Sequence, residues 1–166
     1  MKRIQWKIRT LLIAVVIASI ALGLFARERR RLLSRSHTIQ AVEQLGGGFA
    51  YKRVSLNWFS NFMRWTGVPE NAFRDTFKLA FEPTSSSADS VSDEAIAAIT
   101  QNLSLFPEME KVEYHDCPRI TDATLDSFPD LHKLKTLEIR GTSITRNGLA
   151  RLKQRFPELE ITDDVK

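Results

Sequence analysis

The sequence predicts an α/β fold in which a transmembrane helix precedes a short solenoid of parallel strands with helices on the convex side. An apolar frame with a period of about 24 to 25 residues occurs twice between residues 109 and 152, a spacing typical of stacked supersecondary repeats. Residues 77–81, FKLAF, alternate in polarity as a half-buried strand does. Residues 10–26 carry no charge, and this predicts the transmembrane helix that precedes the strands.

The length and the charge distribution limit the kind of protein that this chain encodes. At 166 residues the chain is long enough for one domain with attachments. Residues 1–35 hold nine Lys or Arg and one acid, Glu28, a balance of +8; since the whole chain carries +4, residues 36–166 carry −4. Nucleic-acid binding needs clustered cations on the folded surface, so we expect no nucleic-acid partner. A single cysteine, Cys117, argues against disulfides and a cysteine-rich metal site, and we expect neither metal nor cofactor.

The uncharged segment, residues 10–26, is interpreted as a single-pass membrane anchor. Its seventeen residues would form a helix of about 25 Å, the short end of a bilayer span. A cleaved signal peptide is the alternative, because the start is basic and small residues such as Ala18, Ala21 and Gly23 could be recognised by a peptidase. The RERRR run that begins at Arg27 favours the anchor, since charge just after a cleavage site hinders export.

The flanks of this span do not predict its orientation. Four cations precede it and five follow it, and charge bias sets topology only when it is lopsided. The pairs Ala14/Ala18 and Ser19/Gly23 have the small-x-x-x-small spacing that lets two helices pack closely, so a homodimer through the span is one interpretation. Ordinary small residues in a lipid-facing helix are the favoured alternative.

Residues 28–48 are interpreted as a juxtamembrane helix followed by a glycine linker. Leu32, Ile39, Val42 and Leu45 lie near one stripe at helical spacing. The glycines at 46–48 end this helix, because glycine readily adopts the left-handed conformation at a helix C-terminus. A phosphate cradle is disfavoured, since such glycines follow a strand and open a helix.

Residues 49–75 are rich in aromatic side chains and are interpreted as a cap on the open end of the repeats. An aromatic binding box and a second membrane contact are the alternatives. Exposure discriminates among them, because several adjacent exposed aromatic side chains would exceed the apolar patch that is usual on a monomer.

Residues 76–166 are assigned to the repeats. Helices are predicted to open at Ser92 or Asp93, at Thr121 and at Thr145, each of which is a good N-cap residue. Residues 82–94, between the first strand and its helix, form a Ser-rich polar insertion that predicts a loop. A fourth strand is predicted to begin in the region of Phe156, Leu159 and Ile161.

The closest motif match lies at residues 117–125, C-P-R-I-T-D-x-x-L. It resembles the cysteine-containing subtype of leucine-rich repeat, a pattern seen in the substrate-binding arms of F-box proteins. Residues 142–149, T-x-I-T-x-x-G-L, resemble a variant common in bacterial repeat proteins, with Arg146 where that variant usually has Asp. The whole arrangement is similar to short, single-pass, membrane-anchored bacterial repeat proteins. The resemblance implies the bacterial cytoplasmic membrane, a concave face that binds protein, and no catalytic residues.

Catalysis by the His115-Asp116-Cys117 triplet is disfavoured. Cysteine catalysis needs a thiolate close to an imidazole in an accessible cleft. We expect Cys117 to turn inward and His115 to point to the concave face, so that the two side chains separate. His37 and His132 are isolated in sequence, and we expect no enzyme.

The polar positions of the predicted strands define a candidate partner-binding surface, because they alternate with the inward residues. The candidate residues are Lys111, Glu113, His115, Thr136, Glu138, Arg140, Glu158 and Glu160. The alternation also places Lys78, Ala80, Glu82 and Thr162 on this face, and aligns Glu113, Glu138 and Glu160 in one column. One interpretation is a site for a basic peptide or protein segment; the favoured alternative is a solvated face whose charges pair locally. For the whole protein, binding of a protein or peptide partner is the first hypothesis, and a structural or assembly subunit is the second.

Overall fold

The computed structural model describes residues 2–54, 57–83 and 90–164. Residues 84–89 of the predicted Ser-rich insertion, and residues 165 and 166 at the end of the predicted repeat segment, lie outside these ranges. The helices are α1 Lys2–Gln44, α2 Trp58–Trp65, α3 Asp93–Thr100, α4 Asp122–Asp126 and α5 Arg146–Arg155. The strands are β1 Gly47–Val54, β2 Arg74–Phe81, β3 Lys111–His115, β4 Thr136–Arg140 and β5 Glu160–Asp163.

The five strands form one sheet in chain order, β1-β2-β3-β4-β5. Strands β2 to β5 are parallel, and β1 pairs antiparallel with β2. The prediction of an α/β chain with parallel strands after an apolar helix is therefore confirmed. Strand β1, within the segment expected to cap the repeats, covers the edge of β2, whose unpaired backbone groups would otherwise be exposed.

The core lies on one face of the sheet, where apolar side chains of the strands meet the helices. Along β3 and β4 the inward residues are Val112 and Tyr114, then Leu137 and Ile139, and all four are fully buried. The second half of α1 packs onto this core through Ile39 and Val42, also fully buried. Leu45 packs against the same cluster, and Leu32 on the same stripe is buried in a second cluster, so the side of α1 predicted from the spacing faces the folded body.

The glycines at 46–48 have three different environments. Gly46, at φ 75°, ends α1 in the left-handed conformation, as the sequence predicted. Gly47 and Gly48 already belong to β1, so the expected linker is the start of a strand. A Cβ atom on Gly47 would lie 2.7 Å from the Phe81 ring and 2.8 Å from Val42, whereas one on Gly48 would meet nothing within 4 Å.

Helix α2 packs on α1 and not on the sheet core. Met63 on its inner side joins Leu32 in a second, smaller apolar cluster. Trp58 and Trp65 on its outer side are 78% and 83% exposed. Within the segment expected to cap the repeats, β1 covers the edge of the sheet, whereas the outer face of α2 is exposed.

Successive α/β units are joined by aspartates that accept hydrogen bonds from the next helix cap. The Asp93 carboxylate accepts from the Thr121 backbone N–H at 2.9 Å, from the Thr121 hydroxyl at 2.6 Å and from the Thr124 hydroxyl at 2.6 Å. Asp122 accepts from the backbone N–H and hydroxyl of Thr145 at 2.7 and 2.8 Å. These bonds satisfy helix-cap donors and fix the spacing of neighbouring units.

Arg146 occupies the position that Asp93 and Asp122 hold in the two preceding units, directly after the N-cap residue of its helix.

The hydrogen bonds between units also change the pKa of Asp93. Burial acts to raise this pKa, but the hydrogen bonds donated by Thr121 and Thr124 outweigh it, and the pKa lies below its ordinary value.

The first half of α1 projects from the folded body. Every residue from 11 to 24 is exposed. The most apolar window of the helix has a mean hydropathy of 2.1 with none of it buried, so by length and composition it is able to cross a membrane. A signal sequence has the same properties, and both interpretations agree with this exposed helix.

Replacing Gly47 and Gly48 separately tests the close approach of α1 to β2. We expect Gly47→Ala to lower the free energy of unfolding by about 1–3 kcal/mol, because the added methyl group overlaps two core side chains. The matched control Gly48→Ala points into open space and should stay within about 0.5 kcal/mol of the parent. Urea denaturation of the full chain in detergent, followed by circular dichroism, measures both; equal losses would contradict the packing.

Replacing Asp93 tests the bonds between units. Asp93→Ala should lose about 2 kcal/mol at neutral pH, because three donors lose a charged acceptor. The lowered pKa means that this contribution is complete above the ordinary value of 3.8 and disappears as the pH falls through the folded pKa. Denaturation curves of the variant and the parent should therefore converge in acid, while the exposed control Asp130→Ala follows the parent throughout.

Candidate functional site

The face of the sheet opposite the helices carries a group of polar and charged side chains, here called the charged face. Its residues are Lys78, Lys111, Glu113, His115, Thr136, Glu138, Arg140 and Glu160. The alternation of each strand separates them from the core, because successive side chains leave a strand on opposite faces.

The register of β3 and β4 brings the predicted residues of these strands together. Lys111 lies opposite Thr136, Glu113 opposite Glu138, and His115 opposite Arg140. Seven of the eight residues proposed from the sequence thus lie on the charged face: these six and Glu160. Glu158 is not among them, because it precedes β5 and belongs to no strand of the sheet.

The predicted column of three glutamates is wrong at β5. Glu160 lies opposite Thr136, and Thr162 lies opposite Glu138. The reason is the position of Leu159. This buried residue occupies the place in the core that Leu134 holds one unit earlier, so β5 starts directly after Leu159. The backbone N–H of Glu160 then donates to Lys135 O at 2.8 Å and sets the register.

Glu113 is the centre of the charged face. Its side chain is only 3% exposed, yet it is ionised between two ammonium groups: Lys78 Nζ lies 2.6 Å from Oε2 and Lys111 Nζ lies 2.6 Å from Oε1. Burial acts to raise the pKa of Glu113, but the bonds from Lys111 and Lys78 outweigh it and hold the pKa below its ordinary value. A buried carboxylate needs such partners, because an unpaired one is strongly destabilising.

Glu138 extends this network along the sheet. It accepts hydrogen bonds from Lys111 Nζ at 3.0 Å and from Arg140 Nη2 at 2.8 Å. Both cations lower the pKa of Glu138, and the hydrogen bond from Lys111 has the largest effect. The His115 ring lies between two acids, with Nε2 3.5 Å from Glu138 and Nδ1 3.3 Å from Glu82. The cations of this network, Lys78, Lys111 and Arg140, are thus each paired within the protein with Glu113 or Glu138.

A metal ion is a poor fit to this face. The ligand atoms of Glu82, Glu113 and His115 lie within 4.8 Å of one another. However, both oxygens of Glu113 already bind ammonium groups, from Lys78 and Lys111. A divalent cation would have to displace two positive charges, so the chemistry of the donors favours the ion pairs.

A shallow pocket of about 480 Å³ lies beside the network, where β1 joins β2. Gly48, Ala50 and Ala80 leave room in its floor, and Lys78 and Glu82 stand at its edge. The sequence did not predict that β1 lines this pocket, because no local pattern of residues indicates the antiparallel pairing of Gly48 with Ala80. Small residues at alternate positions of residues 48–50 are the signal in the sequence that points to it.

Cys117 is separated from the charged face. Its thiol is buried and lies 3.2 Å from His115 O and 4.0 Å from Phe81 O, on the helix side of the sheet. Burial raises the pKa of this thiol to about 12. A thiolate nucleophile is therefore disfavoured, and the imidazole of His115 points to the other face.

No protein-family model matches this chain. None of the curated proteins is similar to it either.

Removing the charge of Glu113 tests the network. Glu113→Gln should lower the free energy of unfolding by about 1–3 kcal/mol at neutral pH, since Lys78 loses its carboxylate partner and Lys111 keeps only Glu138, although both ammonium groups can still reach water. Because the pKa of Glu113 is lowered from 4.5, the difference from the parent should be full above that pH and shrink as the pH falls through the folded pKa.

The matched control for this substitution is Glu160→Gln, an exposed position on the same face. We expect it to stay within about 0.5 kcal/mol of the parent at every pH. If Glu113→Gln behaved like this control, the ion pairs would not contribute to the stability of the sheet. Guanidinium chloride would screen these pairs, so urea is the denaturant to use.

Proposed function

We propose that this protein is a membrane-anchored, non-catalytic binding protein, whose short leucine-rich-repeat domain presents the charged face to a protein or peptide partner. One observation carries the proposal: the helices cover one face of the sheet, while the other face remains open across four parallel strands and carries a half-buried charge network. An open, ordered sheet face beside a pocket suits recognition of a partner.

The repeat assignment is supported by contacts that recur from unit to unit. Asp93 and Asp122 accept equivalent hydrogen bonds from Thr121 and Thr145, which lie 28 and 23 residues further along the chain. Both spacings are compatible with repeats of roughly 20–29 residues. The repeated strand, cap and aspartate therefore behave as one unit used more than once.

The chemistry of the charged face indicates the kind of partner. Lys111 and Arg140 both pair with Glu138, so an incoming acid or base must exchange an existing ion pair for a new one. Such exchange gives specificity more than raw affinity. A short polar segment that carries both signs of charge, with one side chain for the pocket beside Gly48, fits this surface better than a uniformly basic peptide.

The size of the face limits the epitope. Four parallel strands span three inter-strand steps of about 4.8 Å, on the order of 15 Å in all. This width suits a short peptide-like segment or a weak contact, since stable protein interfaces usually bury roughly 800 Å² on each partner.

The anchor is residues 10–26 of α1, proposed to cross a bacterial cytoplasmic membrane once. Its support is the continuity of α1: the exposed apolar half and the half that carries Ile39 and Val42 into the core are one uninterrupted helix. The charged face is then held at a constant distance from the bilayer. Removal of residues 1–26 as a signal peptide would release the domain instead, and the intact mass of the purified protein distinguishes the two.

An assembly subunit is the second candidate function. The small residues Ala14, Ala18, Ser19 and Gly23 all lie in the exposed part of α1, where two copies of the helix could pack closely. In that function the charged face would serve only solubility.

Site-specific photo-crosslinking in intact membranes separates the two candidates. A benzophenone amino acid is placed at Thr136, on the charged face, and at Ala150, an exposed position of α5 on the other side of the sheet. We expect the Thr136 probe to form a crosslink to a different protein that the Ala150 probe does not form. The product is identified by mass spectrometry.

A charge reversal makes this test specific. Arg140→Glu should reduce the Thr136 crosslink several-fold, because the pairing of Glu138 changes, while the exposed control Arg146→Glu on α5 should leave it unchanged. Self-crosslinks alone, from both positions, would support the assembly subunit. A Thr136 crosslink that is indifferent to Arg140→Glu would reject the charged face as the binding surface.

A further inference from the structure

We propose that α2 is an interfacial helix, which inserts Trp58, Phe62 and Trp65 into the surface of an anionic phospholipid bilayer beside the membrane span. The proposal rests on the anchor assigned to residues 10–26. It adds a second attachment to the membrane, made by a segment that lies in the folded body.

The three aromatic side chains form one stripe along α2. Their spacing of four and three residues places them within about 60° of one another on a helix. Trp58 is 78% exposed, Phe62 44% and Trp65 83%, while Met63 and Ser60 on the other side are buried. One side of α2 therefore packs against the protein, and its apolar other side is not covered by any of the residues that the structure describes.

Contacts with α1 place this stripe at the level where the uncharged segment ends. The ring of Phe62 lies 5.6 Å from that of Phe25, the penultimate residue of the segment. Arg29, just beyond it, donates through Nη2 to Thr66 O at 3.2 Å. If residues 10–26 cross the bilayer, α2 must therefore lie at its boundary.

The length of α1 agrees with this level. The uncharged residues 10–26 rise about 25 Å along one continuous helix, so that Phe25 lies at one end of the span and Trp6 lies about one turn beyond the other end. Aromatic side chains are enriched at both surfaces of membrane-spanning proteins. Trp6 would thus mark one surface, and Phe25 with the stripe of α2 would mark the other.

The charges around the stripe favour anionic lipid as the occupant. Arg27, Arg30, Arg31 and Arg64 are exposed around the junction of α1 and α2, and an anionic membrane surface attracts such clustered cations. Arg31 pairs with the half-buried Glu28 and Arg64 pairs with the exposed Glu70, both at 3.5 Å. Such surface pairs are weak and leave the guanidinium groups able to bind phosphate.

A cavity between the two helices has an apolar part and a charged part. It measures about 680 Å³ and is lined by the apolar residues Ala21, Leu24, Phe25 and Phe59, and by Arg27, Arg31 and Glu28. An acyl chain against the apolar wall and a phosphate headgroup at the arginines would satisfy both parts. The aromatic stripe of α2 is also continuous with the exposed apolar side chains of α1, so the same lipid bilayer can cover the stripe and the span.

A two-point attachment has a mechanical consequence. A single helix lets the body rotate about the helix axis, and α2 removes that freedom because it must remain in the membrane surface. The charged face is then presented in a fixed direction relative to the bilayer.

Quenching of single tryptophans by brominated lipid tests the proposal with the full chain. The protein is reconstituted into vesicles of phosphatidylcholine and phosphatidylglycerol, with bromine near the headgroup end of the acyl chains. Trp6→Phe with Trp58→Phe leaves only Trp65, and Trp6→Phe with Trp65→Phe leaves only Trp58. An interfacial helix sinks about 5–10 Å, so we expect brominated lipid to reduce the emission of both about twofold.

Two further variants distinguish a failure of the membrane anchor from a failure of the aromatic stripe to insert. Trp58→Phe with Trp65→Phe leaves Trp6, which should be quenched whenever the span is inserted. His132→Trp, with all three native tryptophans changed to Phe, reports on an exposed loop between α4 and β4 and should be unquenched.

Each outcome decides the proposal. Quenching of Trp6, Trp58 and Trp65 without quenching at position 132 supports it. Quenching of Trp6 alone would overturn it while leaving the anchor in place, and failure at Trp6 would show that the anchor itself is wrong. Emission of Trp58 and Trp65 that responds to the protein-to-lipid ratio and not to bromine would assign the stripe to a second copy of the chain.

Discussion

The packing of Ile39 and Val42 against the sheet is the interaction on which the rest of the structure depends. It joins the second half of α1 to the core, so that the helix cannot pivot independently of the folded body. The close approach that results leaves no space for a Cβ atom at Gly47, where β1 begins. From there β1 can pair with the edge of β2, and the chain can return to α1 through α2. An exposed apolar half and a core-facing half thus belong to one continuous helix.

The two faces of the sheet differ in the kind of side chain that is buried on each. On the helix side, side chains such as Val112 and Leu137 lose contact with water and stabilise the fold. On the open side, neighbouring long side chains remove water from Glu113, which then needs both Lys78 and Lys111 to remain charged. The charge network is therefore a structural requirement of the open face as well as the proposed binding surface. A partner that exchanges one of these ion pairs would affect the stability of the sheet, which couples binding to folding.

Sequence reasoning was most successful where a local pattern has one physical cause. The helical stripe of Leu32 to Leu45, the left-handed Gly46 and the caps at Ser92, Thr121 and Thr145 are each set by neighbours in the chain, and the structure has all of them. It was wrong about the register of Glu160, because one buried residue, Leu159, decides where β5 starts. The bonds from Asp93 to Thr121 were also missed, since they join residues 28 positions apart.

By itself, the sequence determined an α/β chain with parallel strands, an apolar N-terminal helix and alternating inward and outward residues, because periodicity follows directly from the geometry of helices and strands. Only the tertiary structure decided which strand closes the sheet edge, which charges pair, and that the aromatic helix lies beside the exposed apolar half of α1 with Trp58 and Trp65 uncovered. Those features depend on distances between segments far apart in the chain. A pattern of residue types does not contain such distances, and packing sets them.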